Sequence, residues 1–218
     1  MCGKFTTRAS WTGIVDYIWR EDAPEVAEDA RLTLRVMNDL PVILFDPVNK
    51  RRRVVPMRWG FPHPKDPRRP QPIHARGETV DRVPAFAEAF GDGQRGIVLM
   101  ESFNEAPDVE GPVRQHVITS DAPLAAAVIW RRFAVDGKGV FACVLVTVPA
   151  NRLVAALPTG RMPAFVAPAD WTAWLAGDGA AAKACLKTVE GARWTMRPQE
   201  RAAARRRAPV VADPGGLF

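Results

Sequence analysis

The first residues of the chain have the types and spacing that covalent chemistry needs. The sequence begins Met1-Cys2-Gly3-Lys4-Phe5, and methionine aminopeptidase removes an initiator methionine that precedes a residue as small as cysteine. The product carries an α-amine and a thiol two carbons apart, and the reference pKa of such an amine is about 7.7–8.0. This pair forms an imine with an aldehyde and then closes a thiazolidine ring. The alternative is a small buried cysteine at the chain start, and only the neighbouring residues can decide between the two.

An acidic residue that could serve this chemistry stands at the end of a predicted strand. The apolar run at residues 96–103 predicts a strand, and Glu105 follows it. A carboxylate beside an amine can move protons during imine formation if burial raises its pKa toward neutrality. The alternative for Glu105 is an exposed charge at a strand end.

Hydrophobic content, net charge and cysteine count restrict which classes of protein this chain can belong to. The chain has 218 residues, 47% of them hydrophobic, and a formal net charge of +6. This excess of basic residues favours an acidic partner such as nucleic acid, although a solvated basic surface explains it equally well. Three scattered cysteines predict neither a disulfide framework nor a zinc site. We therefore expect no metal and no cofactor.

The sequence shows no targeting signal that would direct the chain out of the cytoplasm. It has no signal peptide, and no run approaches the ~18 apolar residues of a membrane span. Free thiols also suit a reducing compartment. We therefore expect a cytoplasmic protein without a membrane partner.

Hydrophobic patterning predicts several strands interrupted by a few helices. Strands are predicted at residues 40–45, 53–60, 96–103, 115–119 and 140–148, and helices at residues 10–20, 83–90 and 168–175. An acidic loop at 21–29 and an irregular basic loop at 61–72, which holds five prolines, separate some of these elements. Without βαβ alternation the pattern predicts an α+β fold with a mostly antiparallel sheet. We expect a single domain at residues 1–198 and an arginine-rich polar tail at 199–218, which is either a solvated tail or a further DNA contact.

Four separated segments resemble the motifs of one family. These segments are Met1-Cys2-Gly3-Lys4-Phe5; Arg58-Trp59-Gly60-Phe61 with Ile73-His74-Ala75-Arg76-Gly77-Glu78-Thr79; Ser102-Phe103-Asn104-Glu105; and Thr147-Val148-Pro149-Ala150-Asn151 with Thr159-Gly160-Arg161-Met162-Pro163. In order and spacing they are similar to the SRAP family, the SOS response-associated peptidases. The resemblance covers nearly the whole chain.

The resemblance implies a fold, an activity and a partner. The fold would be a single α+β domain with a barrel-like sheet. The activity would be removal of the protein's own Met1, followed by a covalent thiazolidine crosslink between Cys2 and the aldehyde of an abasic site. The partner would be single-stranded DNA that contains abasic sites, and we expect the protein to act on it as a monomer.

The resemblance also assigns roles to individual residues. Cys2 matches the nucleophile and Glu105 the family's glutamate, whereas Arg76 and Arg161 match arginines that grip the DNA backbone. Lys4 stands where the family has arginine. It keeps the positive charge but lacks the forked guanidinium group. The residues that the resemblance further places at the DNA are Trp59 and Thr147. Each cation could instead be a surface charge or part of an internal ion pair, and we expect Glu78 to be structural and to pair with a nearby arginine.

Two departures fall among the catalytic positions. His74 stands where the family has asparagine, and Thr159 stands where it has a histidine that assists ring-opening and reversal. His74 could replace the lost acid or base, because the pKa of histidine lies near the operating pH. Threonine can only donate a hydrogen bond.

Three hypotheses remain open from the sequence. The first is an active abasic-site crosslinker. The second is a DNA-binding protein that kept the fold while its catalytic residues changed. The third is a peptidase that acts on other proteins through a Cys2–His74 thiol–imidazole pair, which requires His74 within hydrogen-bond reach of the sulfur.

Overall fold

The structure is a computed structural model, and it describes residues 2–8, 31–63, 65–106, 114–122, 124–157, 159–191 and 193–199. The predicted helix at 10–20, the acidic loop at 21–29 and the arginine cluster at 205–207 lie outside these ranges. In the described ranges the strands are β1 (Lys4–Arg8), β2 (Arg31–Arg35), β3 (Asp39–Asp46), β4 (Arg51–Trp59), β5 (Pro62–His63), β6 (Asp66–Pro70), β7 (His74–Arg76), β8 (Arg95–Met100), β9 (Ser102–Glu105), β10 (His116–Ser120), β11 (Leu124–Val135), β12 (Lys138–Pro149), β13 (Arg161–Pro163) and β14 (Trp194–Pro198). The α-helices are α1 (Pro84–Gly91), α2 (Trp171–Ala176) and α3 (Gly179–Ala184), with 3-10 turns at Val154–Ala156 and Pro168–Asp170.

Five strands close into a barrel. Their order is β11, β8, β3, β4 and β12, and β12 pairs with β11 again. The neighbours are antiparallel except β4 and β12, which run parallel with Trp59 opposite Cys143. The wall is closely packed at Gly96 of β8, where an added Cβ would lie 2.4 Å from Cγ1 of Val42. Only glycine fits there without displacing β3.

A second, antiparallel sheet packs against the barrel and carries the start of the chain. Its strand order is β14, β10, β9, β1 and β2. Because side chains alternate along a strand, one face of this sheet is apolar, and Phe5, Phe103 and Ile118 on it are fully buried. The Phe103 ring lies 5.6 Å from that of Phe165, which follows β13. The site residues of β1 and β9 are thereby fixed against the barrel.

These features confirm the α+β prediction with a barrel-like, mostly antiparallel sheet and few helices in a single domain. The boundary at residues 198 and 199 stays a prediction. The strands predicted at 40–45, 53–60, 115–119 and 140–148 and the helices at 83–90 and 168–175 match observed elements, the last of them opening with a 3-10 turn.

Three details differ from the predictions. The single strand predicted at 96–103 is two strands in different sheets, β8 and β9, which separate at Glu101. The loop at 61–72 is not wholly irregular, because β5 and β6 pair as a short hairpin. Several strands were also not predicted, namely β1, β2, β7, β11, β13 and β14. The alanine run of β11 at 125–127 lies fully buried in the barrel.

Candidate functional site

The site lies where the start of β1 meets the end of β9 and the barrel strand β7. Cys2 is 1% exposed, and its Sγ donates to the carbonyl oxygen of Lys4 at 3.4 Å. Burial, followed by the negative charge of Glu105, raises the pKa of the thiol to about 12. In the chain that still carries Met1 the thiol is therefore protonated at neutral pH.

Glu105 is the carboxyl group that faces the nitrogen of Cys2. It is the last residue of β9 and is 2% exposed. Burial raises its pKa, and hydrogen bonds from the Cys2 backbone N–H and the Thr159 hydroxyl act in the opposite direction. The Thr159 contact is long, at 3.4 Å from Oγ1 to Oε2. The direction of the pKa shift of Glu105 is the one that proton transfer at Cys2 would need, and Thr159 makes the hydrogen bond that its hydroxyl allows.

His74 holds the other side of Cys2. Its Nε2 lies 2.7 Å from the Cys2 carbonyl oxygen, and because a carbonyl only accepts, Nε2 carries the hydrogen. Nδ1 is then the unprotonated nitrogen, and it is buried without a hydrogen-bond partner in the described part of the chain. Burial lowers the pKa of His74 to about 4.

These contacts correct two expectations for His74. With its pKa about 4, the ring is neutral near pH 7, so it is not the acid or base near operating pH that we expected. It is a neutral hydrogen-bond donor that positions Cys2. The ring also contacts the carbonyl group of Cys2, whereas the sulfur donates to Lys4, and the thiol–imidazole pair required by the third hypothesis is not formed.

Trp59 is part of the floor of the site. The side chain is fully buried, and its Nε1 donates to the carbonyl oxygen of Ile73 at 3.2 Å. Its ring centroid lies 6.4 Å from that of His74 and 5.5 Å from that of Phe5. The predicted DNA contact of Trp59 is therefore wrong, because no surface of the side chain is accessible. Its role is to support His74 from below.

Arg161 is engaged by the protein itself. Its Nη1 and Nη2 donate to the two carboxylate oxygens of Glu78 at 2.9 and 2.7 Å, while Nε donates to the Thr147 hydroxyl at 3.1 Å and Nη2 to the Thr147 carbonyl at 2.7 Å. Four of the five N–H donors of a guanidinium are thus occupied. Thr147 is 2% exposed, so its predicted DNA contact is wrong. Glu78 pairs with an arginine as predicted, and in this arrangement Arg161 cannot also hold a phosphate bidentately.

Arg76 and Lys4, the two other predicted DNA-contacting cations, differ in accessibility. Arg76 is exposed at the end of β7 and makes no hydrogen bond or ion pair with residues in the described ranges. Lys4 is 7% exposed and donates through Nζ to the side-chain oxygen of Gln199 at 2.6 Å. Burial lowers its pKa. Arg76 is the better placed of the two for a phosphate.

Two residues around the site, Gln199 and His116, were not predicted from the sequence. The side-chain oxygen of Gln199, which binds Lys4, also accepts from Nδ2 of Asn104 at 3.2 Å. His116 lies directly opposite Glu105 in the pairing of β9 with β10. The register of two strands is the information that would have revealed His116, and the hydrophobic pattern of one sequence does not supply it.

Two kinds of feature are absent from the described residues. In the part of the chain that the structure describes, no three His, Cys, Asp or Glu side chains are grouped as a metal site would need. None of the helices in the described ranges has the length and hydrophobicity to cross a membrane.

The fold and the site together define a class: a small α+β barrel protein whose second residue, a cysteine, is held between a carboxyl group and a histidine. A family comparison specifies the class further. The model of the SRAP family, described as SOS response associated peptidase, matches residues 1–204. The chain belongs to this family. Membership of the family indicates a function associated with DNA damage and an interaction with DNA.

Solved structures share the fold. A protein from Bordetella bronchiseptica matches with a TM-score of 0.75 at 18% identity, over 92% of this chain and 100% of that chain. A protein from Bacteroides thetaiotaomicron matches with a TM-score of 0.75 at 17% identity, over 91% and 92%. A phage-related protein from Bordetella bronchiseptica matches with a TM-score of 0.67 at 20% identity, over 92% and 95%. At these identities the likeness concerns the fold alone, and a comparison with curated proteins gives no match.

Proposed function

We propose that this protein binds single-stranded DNA, removes its own Met1, and joins Cys2 to the aldehyde of an abasic site as a thiazolidine. One observation carries the proposal: residues from three distant segments meet at Cys2. His74 Nε2 lies 2.7 Å from the Cys2 carbonyl oxygen, and the Cys2 N–H hydrogen-bonds to the buried Glu105 carboxyl group. Packing alone gives no reason to bury a carboxyl group against the nitrogen of the second residue.

Removal of Met1 is a hydrolysis at the nitrogen that Glu105 faces. Water adds to the Met1 carbonyl carbon, the bond from that carbon to the Cys2 nitrogen breaks, and the nitrogen leaves with a proton. A carboxyl group with a raised pKa can take a proton from the water and return it to the leaving nitrogen. His74 keeps the Cys2 carbonyl fixed during this step.

The crosslink then uses both groups of Cys2. The amine attacks the aldehyde carbon, a proton moves from nitrogen to oxygen, and the resulting hydroxyl leaves as water when it receives a second proton, which produces a protonated imine. The thiol adds to the carbon of this protonated imine, its S–H proton is released, and the C=N π electron pair returns to nitrogen as the lone pair of a neutral ring amine. Because the thiol pKa is about 12 before Met1 is removed, the ring closure needs a base, and Glu105 is the carboxylate nearest the nitrogen.

The phosphates of the strand are held by the basic surface. Arg76 is exposed and leaves its guanidinium fork free of the described residues, so it can bind a phosphate bidentately. Arg161 acts indirectly, because its contacts with Glu78 and Thr147 fix the loop that follows β7. We place the protein in the cytoplasm, acting on DNA as a monomer.

Intact-mass measurement tests the proposal directly. Purified wild-type protein should lack Met1, and incubation with an abasic single-stranded oligonucleotide should add the oligonucleotide mass less one water. Cys2→Ala should abolish the stable adduct, and Glu105→Gln should retain more Met1 than wild type made in the same cells, where methionine aminopeptidase acts on both. Cys185→Ala is the matched control, because this cysteine directly follows α3 and its Sγ contacts the carbonyl oxygens of Asp170 and Ala181 rather than the site. Absence of adduct from wild-type protein without Met1 would refute the proposal.

A second function is favoured by a specific observation, the burial and high pKa of the Cys2 thiol. In that case the protein binds single strands in a salt-sensitive way and forms no covalent product. The same experiment decides between the two, because this alternative predicts an unchanged protein mass together with a retarded oligonucleotide in a gel.

A further inference from the structure

His116 is a histidine that neither the sequence motifs nor the steps above use. It is the first residue of β10 and lies directly opposite Glu105 of β9. Directly opposite side chains of an antiparallel pair point to the same face, with Cβ atoms about 4.5–5.5 Å apart. The histidine and the carboxyl group therefore share one face of the sheet.

The neighbouring pair shows that this is the inner face. Ile118 lies opposite Phe103 in the same register, and both side chains are fully buried against the barrel. His116 is two residues from Ile118, and Glu105 is two residues from Phe103. Since side chains alternate along a strand, His116 and Glu105 also face inward.

One imidazole nitrogen of His116 is buried. Nδ1 of His116 is buried and has no hydrogen-bond partner among the described residues, while the ring as a whole is partly exposed. On the other side of β10 the opposite residue is Pro198, which does not titrate. Among the charged and titratable side chains of the described part, Glu105 is the one that lies directly opposite His116 in the strand register. Lys4 lies on the outer face of the sheet.

The other candidates for proton transfer are occupied. The family's histidine is replaced by Thr159, which cannot exchange a proton near neutral pH. His74 has a pKa of about 4 and gives its Nε2 hydrogen to Cys2. Imidazole is the side chain that most often transfers protons in enzymes.

We propose that His116 is a positioning residue that acts through Glu105 by exchanging a proton with its carboxyl group. This inference rests on the proposed function. The reaction needs one proton to release the hydroxyl group as water and gives one proton back when the thiol closes the ring. His116 supplies a proton to Glu105 after water is released and takes a proton from it after the ring closes. Both groups therefore return to their starting protonation states.

The test compares rates of adduct formation with an abasic single-stranded oligonucleotide between pH 5.5 and 8.5. We expect His116→Gln to slow the reaction at least about tenfold, which is less than the roughly hundredfold low end for a lost acid–base group because His116 acts through Glu105. It should also remove the part of the pH dependence that wild type shows in this range. Val117→Ala, which changes the outward neighbour on the same strand, is the control. Added imidazole should restore part of the rate in His116→Ala.

The outcomes separate this inference from the proposed function. No adduct from wild type overturns both. An adduct from wild type with His116→Gln matching the Val117→Ala control overturns the role of His116 alone. A slower His116→Gln with the wild-type pH profile, and no imidazole rescue, shows that the ring serves only packing and overturns the inference as well.

Discussion

Replacing Glu78 with glutamine tests whether Arg161 is held for the fold rather than for DNA. The carboxylate receives two hydrogen bonds from the guanidinium, at 2.9 and 2.7 Å. Glutamine keeps one acceptor oxygen and loses the charge. Because the Arg161 side chain is 17% exposed, the remaining positive charge stays partly buried with only its Thr147 contacts.

The magnitude follows from this intermediate exposure. Exposed ion pairs contribute about 0–1 kcal/mol, and breaking a buried pair costs about 3–5 kcal/mol. With side-chain exposures of 17% and 44% for Arg161 and Glu78, we expect Glu78→Gln to lower the free energy of unfolding by about 1–2 kcal/mol at pH 7.

The pH dependence has a definite sign. Hydrogen bonds from Arg161 lower the pKa of Glu78 in the folded protein. A depressed carboxyl pKa stabilises the fold above the unfolded pKa, about 4.3 for glutamate, and this contribution is lost as the pH falls through the folded value. The difference between wild type and Glu78→Gln should therefore be complete at pH 7 and should shrink below about pH 4.

Urea unfolding followed by tryptophan fluorescence at several pH values measures this difference. Glu88→Gln is the matched control, because the Glu88–Arg131 pair has a similar length of 2.7 Å but more exposed partners, at 67% and 31%. That variant should change stability by less than about 0.5 kcal/mol. Equal effects of both variants, or a Glu78→Gln protein that binds single strands about tenfold more tightly, would refute the structural assignment of Arg161.

Three further predictions concern single residues. Arg76→Gln should weaken binding to single-stranded DNA and reduce the slope of log affinity against log salt by about 0.7 without changing stability; fluorescence anisotropy at several salt concentrations measures this, and an unchanged slope would exclude a phosphate contact. Gly96→Ala should destabilise the protein by about 1–3 kcal/mol in urea unfolding, because the new Cβ would lie 2.4 Å from Val42; wild-type stability would mean that β3 moves freely. Protein that retains Met1 should be alkylated at Cys2 far more slowly when folded than in urea, because the thiol is buried with its pKa about 12 and only the thiolate reacts; equal rates by mass spectrometry would show that the thiol is accessible.

The part of the fold that could be predicted from the sequence is the part with local signals. The hairpin of β3 and β4 was predictable because two branched apolar runs flank a turn at residues 47–50. Strand β11 was not, because its alanine run at 125–127 has a high helix propensity, and burial inside the barrel overrides that preference. The division between β8 and β9 could not be predicted either, since one continuous apolar run contains a strand of each of the two sheets.

The site was predictable where the resemblance fixed residue identity, and less so where packing decides the role. Cys2 and Glu105 lie together as the motifs imply. The roles of Trp59 and Thr147 depend on burial, and the role of Arg161 depends on its pairing with Glu78. Burial and pairing arise from strand register and sheet packing, which a motif match does not contain.

The two departures from the family have unequal consequences. A hydrogen bond to the Cys2 carbonyl needs only a neutral N–H donor, which the amide of asparagine has and which the ring of His74 supplies from Nε2. His74 therefore supplies a neutral N–H donor of the kind that an asparagine at this position would also have. Thr159 donates to Glu105 across a long 3.4 Å contact, but a hydroxyl group cannot replace an imidazole in proton exchange. His116 is the described residue whose strand register places an imidazole on the same face of the sheet as Glu105.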